Sequence, residues 1–355
     1  MTKDKKNIIV TGGYGFIGSH LIKTLSQIGE YNIINIDNLS YASSTYSLDL
    51  IDKNNYTHLD IDISKYTGFH SLLEQYQPMR FFHLAAESHV DRSIDSPDKF
   101  ISTNVYGTYN ILEGIKYYLS NSETKTKKDF KYLHISTDEV YGSKTTGKSS
   151  EDDNLMPNSP YSSSKASSDL LVRAWNKTYG IPTLITRCTN NYGPWQYPEK
   201  LIPVVISNII NEKKIPIYGN GKQVRDWIHV QDHVNALITL SDNTKILPGE
   251  IYNIGVDNEF TNIELVKLIC KICDNEIPNK TGTYFSLIDF VDDRPGHDTR
   301  YSLNIKKIAE HSDWKPKVEF LQGLESTIKW YIKNHKSLTK YFKSKYDGKR
   351  IGLGS

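Results

Sequence analysis

The chain is poor in cysteine, with three in 355 residues. A small, odd number of cysteines makes no disulfide framework. Long apolar runs are missing as well. No stretch of about 18 apolar residues occurs, so no transmembrane helix is expected. The opening residues, Met1 to Lys6, are polar and lack the apolar core of a secretory signal. The cytoplasm is therefore the expected location. One-sided charge is also absent. Lysine and arginine number 43 against 41 acids, a formal net charge of +2. Nucleic-acid binders concentrate their bases on one face, whereas here they are scattered. The densest basic run, Lys125 to Lys128 with Lys131, reads as a solvated loop. Neither nucleic acid nor a membrane is expected as a partner. No internal repeat or low-complexity segment stands out.

With 38% hydrophobic and 24% charged residues, the composition is that of an ordinary globular protein. The length suits one large or two modest domains. Short apolar strands alternate with helical stretches in the first part. Strands are expected at Asn7–Thr11, Asn32–Asp37, Tyr56–Ile63, Arg80–Leu84, Lys131–Ser136 and Thr183–Arg187. Helices are expected over Ile17–Gln27, Gly107–Leu119 and Ser163–Tyr179. This alternation predicts an α/β fold with a Rossmann-type, doubly wound parallel sheet. Nearly continuous apolar strands, such as Phe81-Phe82-His83-Leu84, suit a sheet covered on both faces.

Beyond about Thr189, proline and glycine become frequent, and a smaller α/β C-terminal domain is expected. The spacing places residues 1–188 and about 226–255 in the sheet domain, through a helix at Asp232–Ser241 and a strand at Ile251–Ile254 that returns to the sheet. Residues 189–225 and 256–355 form the second domain, with an amphipathic helix over Leu321–Asn334 and a tail over Tyr346–Ser355. Cys270 and Cys273 form a Cys-x-x-Cys. The apolar residues around them recur at helical spacing, so both read as part of a buried helix face. A zinc site would need a second ligand pair, and none is nearby. No metal is expected.

The first strand runs into Gly12-Gly13-Tyr14-Gly15-Phe16-Ile17-Gly18 and then a helix. A dinucleotide pyrophosphate needs bare backbone N–H groups at a helix N-terminus, and glycine permits that close approach. The spacing Gly12-x-x-Gly15-x-x-Gly18 differs from G-x-G-x-x-G, so its place between strand and helix carries the reading. Asp37 follows 19 positions after Gly18. An acid there can accept hydrogen bonds from the adenosine ribose and would repel a 2′-phosphate, so NAD is the expected cofactor. For Asp37 alone, a turn cap is the plainer alternative.

Tyr161 and Lys165 stand four apart near the start of a helical stretch and share one face. An ammonium beside a phenol is expected to lower the tyrosine pKa, and such a tyrosine can take a proton from a sugar hydroxyl. The same spacing recurs at Tyr218–Lys222 and Tyr341–Lys345, without the strand context. Upstream, the strand Tyr132–Ser136 ends in Thr137-Asp138-Glu139. Ligands bind at the C-terminal rim of parallel strands, which makes two adjacent carboxylates there candidates for acid–base work.

Together with His83–Ser93, Thr186–Pro194, Pro198–Leu201, Gln223–His229 and Asp293–Asp298, these segments resemble the extended short-chain dehydrogenase/reductase family, and within it the nucleotide-sugar 4,6-dehydratases. Tyr14 stands where that pattern usually has alanine, at a point where the loop is expected to meet cofactor. The resemblance implies conversion of dTDP-glucose to dTDP-4-keto-6-deoxyglucose. Tyr161 would take the C4 hydroxyl proton as hydride passes to NAD, with Thr137 holding that hydroxyl. Glu139 would then remove the C5 hydrogen, and Asp138 would protonate the leaving C6 hydroxyl. Hydride would return to C6, leaving NAD unchanged. Like charges held close raise one carboxyl pKa, which suits an acid and a base side by side.

The resemblance further implies cofactor contacts from Gly12, Gly15, Phe16, Ile17, Gly18, Asp37 and Asn38. Others would come from Asp62, Ile63, Leu84, Ala85, Ala86, Thr103, Ser136, Tyr161, Lys165 and Cys188. Substrate contacts would come from Ser88, Thr137, Asn190, Lys200, Leu201, Pro216 and Tyr218, and from Arg225, Asn262, Arg294 and His297. The helices at Gly107–Leu119 and Ser163–Tyr179 resemble those that pair subunits, so a homodimer is expected. Three alternatives stay open: a dehydratase of CDP- or UDP-glucose, a nucleotide-sugar 4-epimerase, and a non-catalytic NAD-binding protein. The Asp138–Glu139 pair speaks against the epimerase, which has no water to eliminate.

Overall fold

The computed structural model describes residues 5–49, 51–121, 129–277 and 282–342. The basic run Lys125–Lys128 and the tail Tyr346–Ser355 lie outside them. In chain order the larger elements begin with β1 (Lys6–Thr11), α1 (Phe16–Ile28), β2 (Tyr31–Ile36), β3 (Tyr56–Leu59), α2 (Phe69–Tyr76), β4 (Arg80–His83), α3 (Val90–Asp95) and α4 (Pro97–Phe100). They continue with α5 (Gly107–Ser120), β5 (Lys131–Thr137), α6 (Pro160–Tyr179), β6 (Thr183–Cys188), β7 (Asn190–Tyr192), α7 (Leu201–Ile210), β8 (Ile215–Tyr218) and β9 (Val224–His229). Last come α8 (Val230–Asp242), β10 (Ile251–Ile254), β11 (Glu259–Thr261), α9 (Asn262–Glu276), β12 (Ile288–Val291), α10 (Lys306–His311) and α11 (Phe320–Phe342).

Seven strands form one parallel sheet in the order β10-β6-β5-β4-β1-β2-β3. β10 joins it beside β6, as the late apolar strand predicts. Alternate residues feed two cores. Ile8 and Val10 of β1 and Phe82 of β4 pack on the face with α1 and α8. Ile9 and Phe81 pack on the opposite face, with α2, α5 and α6. Each such fully buried side chain contributes roughly 1.5–3 kcal/mol. Strands buried on both faces therefore need apolar residues at every position, the pattern seen in their sequences. Chain order reverses between β1 and β4, and that switch point opens the crevice where a ligand can enter.

A second core forms among α7, α9 and α11, with Val205, Ile206, Leu265, Ile269, Leu324 and Ile328 fully buried. A small sheet, β11-β9-β7, and the pair β12-β8 edge it. Cys270 and Cys273 are buried within this core. They lie on the apolar face of α9, as the helical spacing predicts.

Three boundaries depart clearly from expectation, two through a local hydrogen bond and one through packing. α6 starts at Pro160 rather than Ser163. Ser159 accepts from the Ser162 N–H and Ser162 returns the bond, a capping box with proline at the first helical position. β3 stops at Leu59 instead of Ile63, and just beyond it the Asp62 carboxylate takes the Ser64 N–H at 3.0 Å and starts a turn. α11 runs to Phe342, well past Asn334, because its buried stripe continues from Tyr331 to Leu338. Among the described residues, no helix is long and apolar enough to cross a membrane.

Candidate active site

Two adjoining cavities open at the C-terminal ends of the sheet strands. The smaller, about 290 Å3, lies over the switch point. The larger, about 680 Å3, lies between the sheet rim and the second core. Glu139, Asn190, Gln196, Glu199 and Lys200 line both.

The smaller cavity is floored by the glycine loop. Gly12 has φ +72°, a left-handed backbone that glycine adopts without strain. A Cβ at Gly12 would stand 2.7 Å from the Ala85 nitrogen, and one at Gly18 would run into the Gly12 carbonyl. α1 begins at Gly15 with no side-chain cap. Its first-turn N–H groups are therefore left to an incoming acceptor, which fits a dinucleotide pyrophosphate. Gly12, Gly15, Phe16, Ile17 and Gly18 all line this space. Asp37 and Asn38 after β2, and Asp62 and Ile63 after β3, line it from one end. Leu84, Ala85, Ala86 and Ser88 after β4 do so centrally, with Thr103 beside them. Ser136, Thr137, Tyr161, Lys165 and Cys188 close the other end. Every expected cofactor residue thus lies on one surface.

One expectation about this cavity needs correcting, and one lining residue has a second role. Tyr14 does not face it: the ring is buried on the β1 side of the core and meets His58 edge-on at 5.0 Å. Its hydroxyphenyl group replaces a methyl by filling space under the loop, away from the cleft. Asp37, besides lining the cavity, is the turn cap of the plainer reading. Its carboxylate takes the N–H groups of Tyr14 and Leu39 and the Ser43 hydroxyl, each at 2.9 Å.

At the junction of the cavities stand Thr137, Asp138, Glu139, Tyr161 and Lys165. β5 delivers the first three at its end, where Thr137 pairs with Cys188 of β6. A short 3-10 turn over Asp138–Tyr141 follows, and the Thr137 hydroxyl accepts the Glu139 N–H at 3.3 Å. Asp138 is 3% exposed, and its Oδ2 has no hydrogen-bond partner. Burial first and the Glu139 charge second push its carboxyl well above the usual range. Glu139 is half-buried. Burial raises its pKa too, but Arg294, Arg225 and Lys200 pull the other way. Both carboxyls are pushed up, Asp138 the further, and Glu139 has more cations opposing the rise, Arg294, Arg225 and Lys200 against Arg225 alone.

Tyr161 and Lys165 share one face of α6, as their spacing predicts, but the expected pKa effect is reversed. Burial and then the Glu139 charge hold the Tyr161 phenol well above its ordinary value. The Lys165 ammonium donates instead to the Ile135 carbonyl at 2.7 Å, and burial brings its pKa down to about 8. Among the protein groups alone, desolvation is the largest influence on the phenol.

The larger cavity collects Lys200, Leu201, Pro216, Tyr218, Asn262 and Asn190. Arg225, Arg294 and His297 complete it. Arg225 is held by the carbonyls of Val224 and Asp298, at 2.7 and 2.9 Å. Lys200 donates to the Ser88 carbonyl at 2.8 Å. Two buried acids that sequence reasoning left without a role stand at this wall. Asp91 bonds Arg294 and Tyr218. Glu199 takes Arg92 at 2.8 Å and the Tyr41 hydroxyl at 3.1 Å. Both acids lie inside recognisable segments, but their partners are distant in sequence and leave no local signal.

Comparison with known proteins agrees with this geometry. A family model described as GDP-mannose 4,6 dehydratase matches residues 9–327. A dTDP-glucose 4,6-dehydratase from Escherichia coli is 45% identical, covering 98% of this chain and 99% of its own. The crystal structure of a dTDP-glucose 4,6-dehydratase from Streptomyces venezuelae, with NAD and TYD bound, superposes with a TM-score of 0.84 at 38% identity, covering 96% of this chain and all of that one. A UDP-glucuronic acid 4-epimerase from Bacillus cereus, with NAD bound, reaches 0.80 at 26% identity, over 92% of this chain and 99% of that one. Fold similarity thus extends to epimerases, while the higher identity lies with dehydratases. On both the family model and these relatives, the chain belongs to the nucleotide-sugar 4,6-dehydratases of the extended short-chain dehydrogenase/reductase family.

Proposed function

We propose that this chain converts dTDP-glucose to dTDP-4-keto-6-deoxyglucose, a precursor for deoxysugar synthesis, in the cytoplasm. The observation that carries the choice of reaction is Asp138. A buried carboxyl with an unpartnered oxygen, its pKa pushed upward by burial and by the adjoining Glu139, is suited to protonate a leaving group. Elimination of water needs such an acid and an adjoining base, whereas C4 epimerisation needs neither.

The glycine loop, Asp37, Asp62 and the Leu84–Ala86 strand end would hold NAD. When bound, NAD would supply a hydride acceptor for oxidation at C4 and the hydride for C6, with no net consumption. Tyr161 takes the C4 hydroxyl proton, and Thr137 orients that hydroxyl. Lys165 sits beneath as a fixed positive charge. The 4-ketone acidifies the C5 hydrogen, and Glu139 removes it. Asp138 passes its proton to the C6 hydroxyl, which leaves as water. The Glu139 carboxyl exchanges that proton with solvent and then delivers a proton back to C5. Arg225, Arg294 and Lys200 face the diphosphate as charge-assisted donors, with Pro216, Tyr218, Asn262 and His297 along the nucleotide.

Purified protein given dTDP-glucose is expected to yield a product one water lighter, with no net change in NAD. CDP-glucose, UDP-glucose and GDP-mannose run in parallel test the nucleotide. Formation of dTDP-galactose, or loss of water only from another nucleotide sugar, would overturn the assignment.

We assign the sheet lobe to residues 1–188 and about 226–255, and the nucleotide-sugar lobe to 189–225 and 256–355, with β9 bridging the two through its pairing with β7 and β11. The subunit is proposed to pair with a second copy through α5 and α6. Tyr117 of α5, Leu170 and Tyr179 of α6, and Tyr106 just before α5 are each more than half exposed, and exposed large apolar side chains of this kind suit an interface. Sedimentation should give twice the chain mass of 40.6 kDa, and Leu170→Asp should shift it toward monomer. A monomeric wild-type protein would remove the dimer.

A further inference from the structure

Asp91 is an acid in the wall of a cavity proposed to receive a diphosphate, where its charge alone would oppose the ligand. It is 3% exposed and sits in the first turn of α3, on the sheet side of the cavity. Its two oxygens are divided between two groups of the other lobe. Oδ1 accepts from Arg294 Nη1 at 2.6 Å, and Oδ2 accepts from the Tyr218 hydroxyl at 2.9 Å. Tyr218 ends β8, and Arg294 follows β12, the strand paired to β8. One carboxylate thus ties down both side chains at the end of that two-stranded pair.

Three of the cations lining the cavity, Lys200, Arg225 and Arg294, are anchored differently. Lys200 and Arg225 rest on backbone carbonyls. Of these three, and among the described residues, Arg294 is the one paired to a carboxylate. Its Nε is buried without a hydrogen-bond partner, a donor left open beside the cavity. Burial would raise the Asp91 pKa, but Arg294 and then His89 hold it below the ordinary carboxylate range, so the group is ionised. An ionised carboxylate fixes a guanidinium in plane, and a fixed guanidinium loses less entropy when it meets phosphate oxygens.

We infer that Asp91 is a positioning residue for substrate: it presets Arg294 and Tyr218 from across the cavity, so that the nucleotide-diphosphate half of the site is formed before ligand arrives. This rests on the proposed nucleotide-sugar reading of the cavity. A carboxylate kept near a diphosphate must contribute more by ordering its partners than it costs by repulsion. Asp91 reaches the acid–base group only through Arg294, so its loss should act mainly on binding and change the chemistry by no more than a few-fold.

The test uses the NAD-loaded protein and two ligands, dTDP-glucose in turnover and dTDP in calorimetry. Asp91→Ala should raise KM and the dTDP Kd by about 10–100-fold, equivalent to about 1.4–2.8 kcal/mol. kcat should stay within about threefold, and NAD content should be unchanged. Asp91→Asn, which keeps an acceptor for Arg294, should fall between the two, and it stands in if Asp91→Ala does not fold. In an Arg294→Ala background, Asp91→Ala should add little, because residues acting through one another are non-additive. Unchanged KM and Kd in either variant, a fall in kcat at constant KM, or full additivity with Arg294→Ala would overturn the inference. Wild-type protein that binds no dTDP would instead defeat the nucleotide reading on which it rests.

Discussion

Glu139→Gln is expected to separate oxidation from elimination. The amide is close in shape to the carboxylate, so substrate should bind and C4 should still be oxidised, giving the near-ultraviolet absorbance of reduced cofactor in a single turnover. Water loss should fall by about 10²–10⁴, the usual contribution of a positioned base. In deuterated water the normal enzyme should place deuterium at C5, whereas the variant should not. The geometry supports this split. Glu139 faces both cavities, while Tyr161 and Lys165 line only the smaller. The raised Glu139 pKa adds a direction with pH. Its base form is lost on acidification earlier than an ordinary carboxylate's would be, so that acid limb of the elimination rate should disappear in the variant. Elimination at the normal rate in Glu139→Gln would show that another group takes the C5 proton.

Much of this site was legible before any coordinates because its signals are local. Glycine spacing between a strand and a helix, a pair four apart on one helix face, and carboxylates at a strand end are all short-range patterns. The sheet was legible for a related reason: strands buried on both faces cannot hide their composition. What escaped is long-range or energetic. Asp91 and Arg294 stand 203 positions apart, and Arg92 and Glu199 107 apart. No spacing rule joins them. Tyr14 was misplaced because a sequence cannot say which side of a loop a ring will take. The Tyr161 pKa was misjudged in sign because the neighbouring lysine is visible in sequence but the depth of burial is not.

That reversed sign shapes the second large effect. Tyr161→Phe should lower turnover by about 10²–10⁴, and it should do so ahead of the split seen with Glu139→Gln. Without the phenol no C4 ketone forms, so no reduced cofactor should accumulate and no deuterium should enter C5. The phenyl ring keeps its edge-on contact with Phe100, at 6.2 Å between centroids, and Lys165 keeps its bond to the Ile135 carbonyl. NAD content and dTDP affinity should therefore stay near normal, which distinguishes a missing proton acceptor from a damaged site. Because burial and the Glu139 charge hold the phenol above its ordinary pKa in the protein alone, the phenolate is scarce at neutral pH. Oxidation at C4 should accelerate as pH rises, and that acceleration should be absent in Tyr161→Phe. Substrate-dependent cofactor reduction at the normal rate in the variant would assign the C4 proton to a different group, and Thr137, which lines the same cavity as Tyr161, would be the first to substitute.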